Sequence, residues 1–216
     1  MIALIDVVGS NVGSLEHALF RLGYHKDRDY YFARSGESLT GASHVILVGV
    51  GSAHQAMRAL NNHGLTEAIT KLTVPVLGIC VGMQIMYEFS WETKGLQGAE
   101  SLEHSPVSCL AIFPGSVKKL AVPNHLSLPH SGWNQLEQNH HFQGNIRPFK
   151  QFDSTYVYFV HSYGAPVGGN EVIFYVDYGV KIPALVCCRN FYGTQFHPEK
   201  SAQIGSQMLQ EFLKLC

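Results

Sequence analysis

Apolar runs alternate with helix-like segments through the first half of this chain. The runs that predict strands are 2–6, 44–48 and 75–79. Segments whose apolar residues recur every three or four positions predict helices at about 12–22, 53–60, 65–70 and 81–89. Because strands and helices alternate, the pattern favours an α/β fold with a mostly parallel, doubly wound sheet.

The second half of the chain changes to short extended stretches. These predicted strands are 156–161, 172–176, 184–189 and 191–195, and a closing helix is predicted at 202–215. Such a series of strands predicts an antiparallel extension of the sheet. A polar segment at 91–107 predicts a long surface loop, and no repeat or linker divides the chain, so we expect residues 1–216 to form one domain.

Cys80 is the residue with the clearest chemical potential. It stands where a predicted strand meets a predicted helix, between Gly78 and Gly82. This is the layout of a nucleophile elbow, a tight strand-to-helix turn that presents a reactive side chain. The helix start adds backbone NH groups and a partial positive charge, which favour a thiolate. A lone cysteine in an apolar run is more often a core thiol, so the prediction of a nucleophile needs a matching base.

A base and an acid occur near the other end of the chain, where Pro198 separates His197 from Glu199. Proline stiffens the turn, so the carboxylate of Glu199 can orient the His197 ring while the other ring nitrogen faces the thiol. A His-Pro-Glu sequence alone is usually an ordinary loop. Together with the elbow, it predicts that Cys80, His197 and Glu199 form a triad for acyl transfer.

The overall composition indicates a large core and few charges. The 216 residues are 46% hydrophobic and 14% charged, with a formal net charge of -1. No stripe of lysine and arginine is present, which argues against nucleic acid as the main partner because phosphate binding needs concentrated positive charge. The twelve histidines show no paired metal-ligand spacing, so no metal or organic cofactor is expected.

The start of the sequence and its cysteines indicate the compartment. The first residues form a strand pattern rather than a basic region with a signal-peptide core, and no apolar run approaches the roughly 18 residues of a membrane-spanning helix. The five cysteines are an odd number with no disulfide framework, which is typical of a reducing compartment. We therefore expect a cytoplasmic protein that does not bind a membrane.

Two motifs resemble those of a known enzyme family. Gly-Ile-Cys-Val-Gly-Met-Gln at 78–84 and Gln-Phe-His-Pro-Glu at 195–199 are similar to the motifs of triad-type glutamine amidotransferases. Three further segments, at 128–134, 158–163 and 192–201, resemble the glutaminase subunits of imidazole glycerol phosphate synthases. The resemblance covers essentially the whole chain. It implies a flavodoxin-like glutamine amidotransferase fold that hydrolyses L-glutamine to glutamate and ammonia.

An oxyanion hole is the second part of an acyl-transfer site. Val81 follows the nucleophile and supplies one backbone NH. The resemblance places the second NH at Val50, because Gly49 and Gly51 leave the Val50 peptide free to reorient. We therefore assign Val81, Val50 and Gly51 to the hole. Without the elbow, the same loop would be interpreted as an ordinary turn after a strand.

Residues that hold the glutamine substrate are implied by the same resemblance. Gln84 follows Cys80 by one helical turn and lies on the same side of the predicted helix. On its own, such a residue is more often a solvated glutamine on a helix surface. By resemblance, Gln84 binds glutamine together with Gly49, Ser162 and Tyr163, the last two through their backbone.

A partner is expected because ammonia released into water would be mostly ammonium, which is a poor nucleophile. By resemblance the acceptor is a (β/α)-barrel cyclase on a separate chain. It would form a heterodimer with this chain and yield imidazole glycerol phosphate and an aminoimidazole carboxamide ribotide in histidine biosynthesis. The segment 129–134 combines proline, small residues and a large aromatic, which is typical of protein contacts. The expected interface residues are Asn11, His130, Trp133, Asn134 and Tyr158.

Two other functions remain open. Val48 and Ser131 depart from the family pattern, in which proline and methionine are usual. These departures favour the same glutaminase chemistry feeding another synthase, such as a sugar amidotransferase in surface polysaccharide synthesis. A non-catalytic regulatory subunit is the other alternative, and the complete set of Cys80, His197 and Glu199 argues against it. For Trp133, a buried core position is the alternative to an interface.

Overall fold

The computed structural model describes residues 1–7, 12–49, 51–92 and 105–216 of the chain. The strands are β1 (Ile2–Asp6), β2 (Tyr30–Phe32), β3 (His44–Gly49), β4 (Val76–Cys80), β5 (Tyr87–Ser90), β6 (Val107–Ser108), β7 (Phe113–Lys119), β8 (His130–Gln135), β9 (Glu137–Gln138), β10 (Tyr156–His161), β11 (Tyr163–Gly164), β12 (Val172–Asp177), β13 (Lys181–Cys188) and β14 (Phe191–Thr194). The α-helices are α1 (Val12–Arg21), α2 (Ala53–Asn62), α3 (Leu65–Thr70), α4 (Val81–Gln84) and α5 (Ala202–Leu213). Short 3-10 helices lie at Glu37–Leu39, Lys150–Phe152 and Pro198–Lys200.

The largest sheet in the described part of the chain has eight strands in the order β2-β1-β3-β4-β14-β13-β12-β9. Strands β2, β1, β3, β4 and β14 pair in parallel. Strands β14, β13, β12 and β9 pair antiparallel. The predicted α/β fold, a mostly parallel sheet with an antiparallel extension, is therefore confirmed.

The central parallel strands are apolar along their whole length. All six residues of β3 and all five of β4 are buried, a pattern typical of parallel strands whose two faces are both covered. Ile46 of β3 lies between Leu4 of β1 and Leu77 of β4. The end of β4 therefore lies at the carboxyl edge of the sheet, where open α/β sheets bind their ligands.

Helix α2 shows how the helices are fixed to the sheet. Ser52 and Gln55 form a capping box, in which each side chain accepts a hydrogen bond from the other residue's backbone NH. One face of the helix is buried through residues spaced three or four positions apart. These buried residues are Ala53, Ala56, Met57 and Leu60.

The prediction of a helix at about 81–89 is correct for the first turn and wrong for the residues that follow. Helix α4 ends at Gln84, and Tyr87–Ser90 forms β5 in a four-stranded sheet with the order β11-β7-β5-β6. Met86 and Tyr87 are fully buried, so the segment lacks the polar face of a surface helix. Pairing of β5 with β7 satisfies the backbone instead.

The predicted elements of the second half agree with the structure to within a few residues. Strand β13 begins earlier than predicted, at Lys181, and α5 ends at Leu213. Strand β10 pairs with β8 in a separate two-stranded sheet rather than in the large sheet. Of the loop predicted at 91–107, residues 93–104 lie outside the described residues, and Val107–Ser108 forms β6.

Two groups of buried hydrophobic residues form the core. The first surrounds β1, β3 and β4 and includes Leu47 and Cys80. The second lies between β10, β12, β13 and α5 and includes Phe159 and Phe196. Since Phe196 directly precedes His197, the thiol and the histidine are carried by different groups, and they approach each other where the two groups meet.

We predict that Gly82→Ala lowers the stability of the protein. A methyl group at Gly82 would overlap the backbone carbonyl of Leu47 in β3, so α4 and β3 would have to separate. Overpacking of this kind costs about 1–3 kcal/mol. Urea denaturation followed by circular dichroism would measure the loss as a lower midpoint.

Gly13→Ala is the matched control. Gly13 is also the second residue of a helix, but a methyl group there meets nothing within 4 Å. At Gly13, alanine should raise the stability by up to about 1 kcal/mol, since it favours helix more than glycine does. Equal effects of the two changes would contradict the close approach of Gly82 to β3.

Candidate active site

Strand β4 ends at Cys80 in a strained turn. Cys80 has a φ of 53° and a ψ of -107°, a region that non-glycine residues rarely adopt and that occurs mainly at functional sites. Helix α4 begins at the next residue, Val81. A methyl group on Gly78 would overlap the backbone of Gly82, so both glycines are needed for the turn to close. The turn has the strand-turn-helix arrangement that the sequence predicts.

His197 follows β14 and is held by Glu199. The Nδ1 atom of His197 donates a hydrogen bond to Glu199 Oε1 at 2.7 Å, and the two side chains are 1% and 0% exposed. Pro198 begins the short 3-10 helix that turns Glu199 back toward the ring. The structure therefore brings the predicted base and the predicted acid together.

Two opposing effects set the charge of the His197 ring. Burial lowers its pKa, while hydrogen bonding and Coulombic attraction to Cys80 and Glu199 raise it, and the net result is a pKa of about 10. His197 is therefore protonated at neutral pH. Its Nε2 is buried and makes no hydrogen bond of ordinary geometry within the described residues, so it is available to the thiol and to a bound substrate.

A ring of three hydrogen bonds fixes the His197 backbone to β10. The His197 NH donates to the Tyr158 carbonyl at 2.9 Å. The Tyr158 NH donates to Ser201 Oγ at 2.9 Å, and this hydroxyl donates to the His197 carbonyl at 2.7 Å. Ser201 is fully buried. The position of the histidine therefore depends on β10 as well as on Glu199.

A pocket of about 400 Å³ opens beside Cys80 and His197. This volume falls within the range of small-molecule sites. The sequence predictions placed five of its other lining residues in the site. These are Gly51, Val81, Gln84, Ser162 and Tyr163.

Gln84 is buried rather than solvated. Its side chain is 2% exposed, and its Nε2 donates to the Tyr163 carbonyl at 2.9 Å and to Gln195 Oε1 at 3.0 Å. Gln195 Nε2 in turn lies 3.8 Å from Cys80 Sγ. The alternative of a solvated surface glutamine is therefore wrong, and Gln84 forms part of the pocket wall beside the thiol.

Two of the three residues predicted for the oxyanion hole lie beside the elbow. Val81 and Gly51 both line the pocket, and Gly51 has a φ of 120°, which favours glycine. Gly49, the last residue of β3, pairs with Cys80 across the sheet. Val50 lies outside the described residues.

Three residues near the thiol were missed by the sequence analysis. They are Glu92 and His161, which line the pocket, and Gln195, which contacts Cys80. Gln195 had a signal, because it belongs to the Gln-Phe-His-Pro-Glu motif. Glu92 begins a polar segment interpreted as a surface loop, and His161 ends a predicted strand, so neither had a signal of its own.

The residues predicted for a partner interface divide into exposed and buried positions. Trp133 is 51% exposed, so the alternative of a core tryptophan is wrong, and it packs edge-to-face on half-buried Tyr158 with ring centroids 6.1 Å apart. Asn134 is half-buried. His130 is 2% exposed and does not reach the surface, because its ring stacks on Phe159 and Tyr178. Asn11 lies outside the described residues.

Neither a metal-ion cluster nor a membrane-spanning helix occurs in the described part of the chain. Within the described ranges, no three or more histidine, cysteine, aspartate or glutamate side chains are grouped so that they could hold a metal ion. Over those ranges, too, every helix is too short or too polar to cross a membrane.

Comparison with known proteins gives one consistent result. Residues 3–216 match the family described as glutamine amidotransferase class-I. The chain is 41% identical to imidazole glycerol phosphate synthase subunit HisH 2 of Legionella pneumophila subsp. pneumophila (strain Philadelphia 1), with 100% of this chain and 98% of that protein covered. It is 38% identical to the HisH subunit of Xylella fastidiosa (strain 9a5c), with coverage of 99% and 97%.

Structural similarity agrees with the sequence matches. A crystal structure of a glutamine amidotransferase has a TM-score of 0.69 to this chain at 17% identity, with 99% of this chain and 98% of that chain covered. That similarity shows the flavodoxin-like fold. The family match and the full-length relatives show that the chain belongs to the class-I glutamine amidotransferase family, as a glutamine-hydrolysing enzyme subunit.

Proposed function

We propose that this chain hydrolyses L-glutamine through Cys80, His197 and Glu199 and passes the ammonia to a synthase subunit. The observation that carries the proposal is the buried His197–Glu199 ion pair beside the strained thiol-bearing turn and its 400 Å³ pocket. Such a pocket has room for one amino acid. Residues 1–216 act as one glutaminase domain, in a reducing cytoplasm that keeps the five free cysteines unpaired.

The reaction proceeds through a thioester. The proton of Cys80 already resides on His197, and the thiolate attacks the carboxamide carbon of glutamine, so that a C–S bond forms and the oxygen becomes an oxyanion. His197 then donates its proton to the nitrogen, the C–N bond breaks, and ammonia leaves. Water, deprotonated by the same histidine, attacks the thioester and releases glutamate and the thiol. Glu199 holds the ring in one orientation throughout.

The oxyanion is stabilised at the start of α4. Val81 lines the pocket directly after the nucleophile, and its NH is the first donor; Val50 supplies the second, and Gly51 also lines the pocket. Donors at this position act on the charge that develops during attack. This assignment is supported by the pairing of Gly49 with Cys80, which brings the loop next to the nucleophile.

The pocket wall recognises the amino-acid end of glutamine. Gln84 and the backbone of Ser162 and Tyr163 offer amide groups, and Gly49 leaves space beside the thiol. Glu92 is an acidic lining residue and is suited to bind the α-ammonium group. The carboxamide of the substrate is thereby directed toward Cys80.

The ammonia acceptor is a (β/α)-barrel cyclase subunit that forms a heterodimer with this chain. The names of the full-length relatives, which are HisH subunits of imidazole glycerol phosphate synthase, support this acceptor over a sugar amidotransferase. The products are then imidazole glycerol phosphate and an aminoimidazole carboxamide ribotide. Exposed Trp133 and half-buried Tyr158, with Asn134 beside them, provide an aromatic surface for docking.

We predict that Cys80→Ala lowers glutamine-dependent synthesis by at least about a thousandfold, because no other group can form the thioester. Synthesis by the complex from added ammonia should stay unchanged. Mixing the variant with the cyclase partner and measuring both activities tests the prediction. Unchanged use of glutamine would refute the nucleophile assignment.

Cys109→Ala is the matched control. Burial raises the pKa of the Cys109 thiol to about 12, so this cysteine is protonated and unreactive at neutral pH. Both activities should survive its replacement. A loss of glutamine use in both variants would mean that the assay reports a general effect of cysteine removal.

We predict that kcat/KM for glutamine falls as the pH rises through about 10, since deprotonated His197 has no proton for the leaving ammonia. The free energy of unfolding should also decrease as the pH rises through this range. The folded pKa lies above the usual 6.5, so the contribution of the ion pair is complete below pH 6.5 and is lost as the pH rises through about 10. Glutamate release measured from pH 6 to 11 tests this, and a decline centred near 6.5 would contradict it.

We predict that Glu92→Gln raises the KM for glutamine by about tenfold, because the α-ammonium group would lose its ion pair with a carboxylate and keep only a hydrogen bond to a neutral amide. The value of kcat should change by less than about twofold, since Glu92 does not touch the reacting carboxamide. The control is Glu88→Gln, an exposed carboxylate that accepts from the Gly115 NH at 2.8 Å. An equal rise in KM for Glu92→Gln and Glu88→Gln would contradict the proposed role of Glu92 in binding glutamine.

A further inference from the structure

A chain of hydrogen-bonding groups runs from β8 to the pocket and is not used in the mechanism above. Asn134 Nδ2 lies 3.4 Å from His130 Nε2. His130 Nδ1 lies 3.2 Å from His161 Nε2. His161 Nδ1 lies 2.7 Å from the carbonyl oxygen of Tyr163. The two histidines are 2% and 6% exposed, so water has little access to these contacts.

The groups at the two ends determine which ring nitrogen carries each hydrogen. A carbonyl oxygen only accepts, so His161 Nδ1 carries a hydrogen and donates it. His161 Nε2 therefore accepts from His130 Nδ1, which leaves His130 Nε2 as an acceptor for the amide of Asn134. The orientation of Asn134 is fixed independently, because its Nδ2 donates to the Asp177 carbonyl and its Oδ1 accepts from the Gln135 NH, each at 2.8 Å.

Both rings have surroundings that favour this neutral form. His130 stacks on Phe159 and Tyr178, with ring centroids 4.8 and 4.1 Å away, which holds its plane. Burial lowers the pKa of His130 to about 4. Burial, together with His130 and the positive charge of His197, lowers the pKa of His161 to about 3 despite its bond to a carbonyl. Each ring therefore has one hydrogen at neutral pH, as the chain of donors and acceptors requires.

The carbonyl at the end of this chain is shared with the pocket wall. Tyr163 O accepts from His161 and also from Gln84 Nε2, at 2.9 Å. Gln84 then contacts Gln195, whose Nε2 lies 3.8 Å from Cys80 Sγ. A shift of the carbonyl would therefore move two side chains beside the thiol without touching the triad.

We infer that His161 and His130 are positioning residues for the glutamine pocket. Held in single tautomers by Asn134, they fix the Tyr163 carbonyl and, through it, Gln84. Their role is to pre-organise substrate binding and not to transfer protons. The inference rests on the proposed function only in taking L-glutamine as the occupant of the pocket.

Two replacements of His161 separate a hydrogen-bonding role from packing. His161→Asn places an amide nitrogen where Nδ1 was and keeps the donor to the Tyr163 carbonyl, whereas His161→Leu removes it. We expect the leucine variant to bind glutamine about tenfold more weakly, and the asparagine variant to stay within about twofold of the parent. Calorimetric titration on full chains that also carry Cys80→Ser, which blocks turnover, measures these dissociation constants.

Turnover distinguishes positioning from chemistry. With Cys80 intact, kcat at saturating glutamine should change by less than about threefold in both variants, so that the loss appears in KM. The inference is overturned if kcat falls while the dissociation constant is unchanged. It is also overturned if leucine and asparagine weaken binding equally, or if leucine has no effect.

The tautomers are tested directly by nitrogen NMR on the free chain. Histidine labelled with ¹⁵N should show His161 protonated at Nδ1 and unprotonated at Nε2. The pattern should persist in His130→Asn, which keeps a donor to His161 Nε2, because the Tyr163 carbonyl still accepts from Nδ1. A hydrogen on His161 Nε2 in the parent protein would overturn this chain of donors and acceptors. This measurement needs no glutamine. If the parent protein failed to bind glutamine, the proposed function would be contradicted, but the spectrum would still test the chain of donors and acceptors.

His44→Leu is the matched control for loss of a buried histidine. His44 is 9% exposed, contacts the Leu215 carbonyl through Nε2 at 3.0 Å and packs against Phe212. Its replacement should lower the melting temperature without changing the affinity for glutamine. If it weakened glutamine binding as much as His161→Leu, the effect would be one of general destabilisation, and the positioning role would be refuted.

Discussion

The close packing of α4 onto β3 is the constraint on which the site depends. Gly82 faces the Leu47 carbonyl without a side chain between them, and this brings the start of α4 to the carboxyl edge of the sheet. Cys80 accommodates the change of direction with its positive φ. The strain persists because β4 is paired on both sides, with β3 and with β14. The same two strands lead to the rest of the site, since β3 ends at Gly49 and β14 is followed by His197.

The proposed base, His197, is held by a different part of the core from the proposed nucleophile, Cys80. Phe196 and Phe159 belong to the second hydrophobic group, whereas Cys80 belongs to the first. The hydrogen bonds that join His197 to Tyr158 and Ser201 tie the base to β10. Because Tyr158 also packs on exposed Trp133, one strand carries both the proposed docking surface and the support of the base. Binding of a partner at that surface would therefore act on the strand that positions His197.

The turn at Cys80, the pairing of His197 with Glu199 and the parallel part of the fold could be predicted because each is a local pattern. Strands β3 and β4 are unbroken apolar runs, and seven consecutive residues at 78–84 carry the elbow. Features decided by distant partners could not be predicted. Tyr87–Ser90 is a strand because Phe113–Lys119 lies beside it, and Gln84 is buried through hydrogen bonds to residues 79 and 111 positions away. Such contacts cannot be predicted from the spacing of hydrophobic residues within a single segment.

Burial alone does not set the charge of a histidine in this pocket. His197 faces the Glu199 carboxylate and the thiol, and its pKa rises to about 10 despite burial. His161 faces a carbonyl and the neutral ring of His130, which offer no full negative charge, and burial lowers its pKa to about 3. The charge on His197 further disfavours a second proton nearby. In the proposed reaction, His197 is therefore the proton donor and His161 is a neutral donor of fixed orientation. The pocket would then hold one histidine cation next to the leaving group, without a second one that would repel the ammonium group of glutamine.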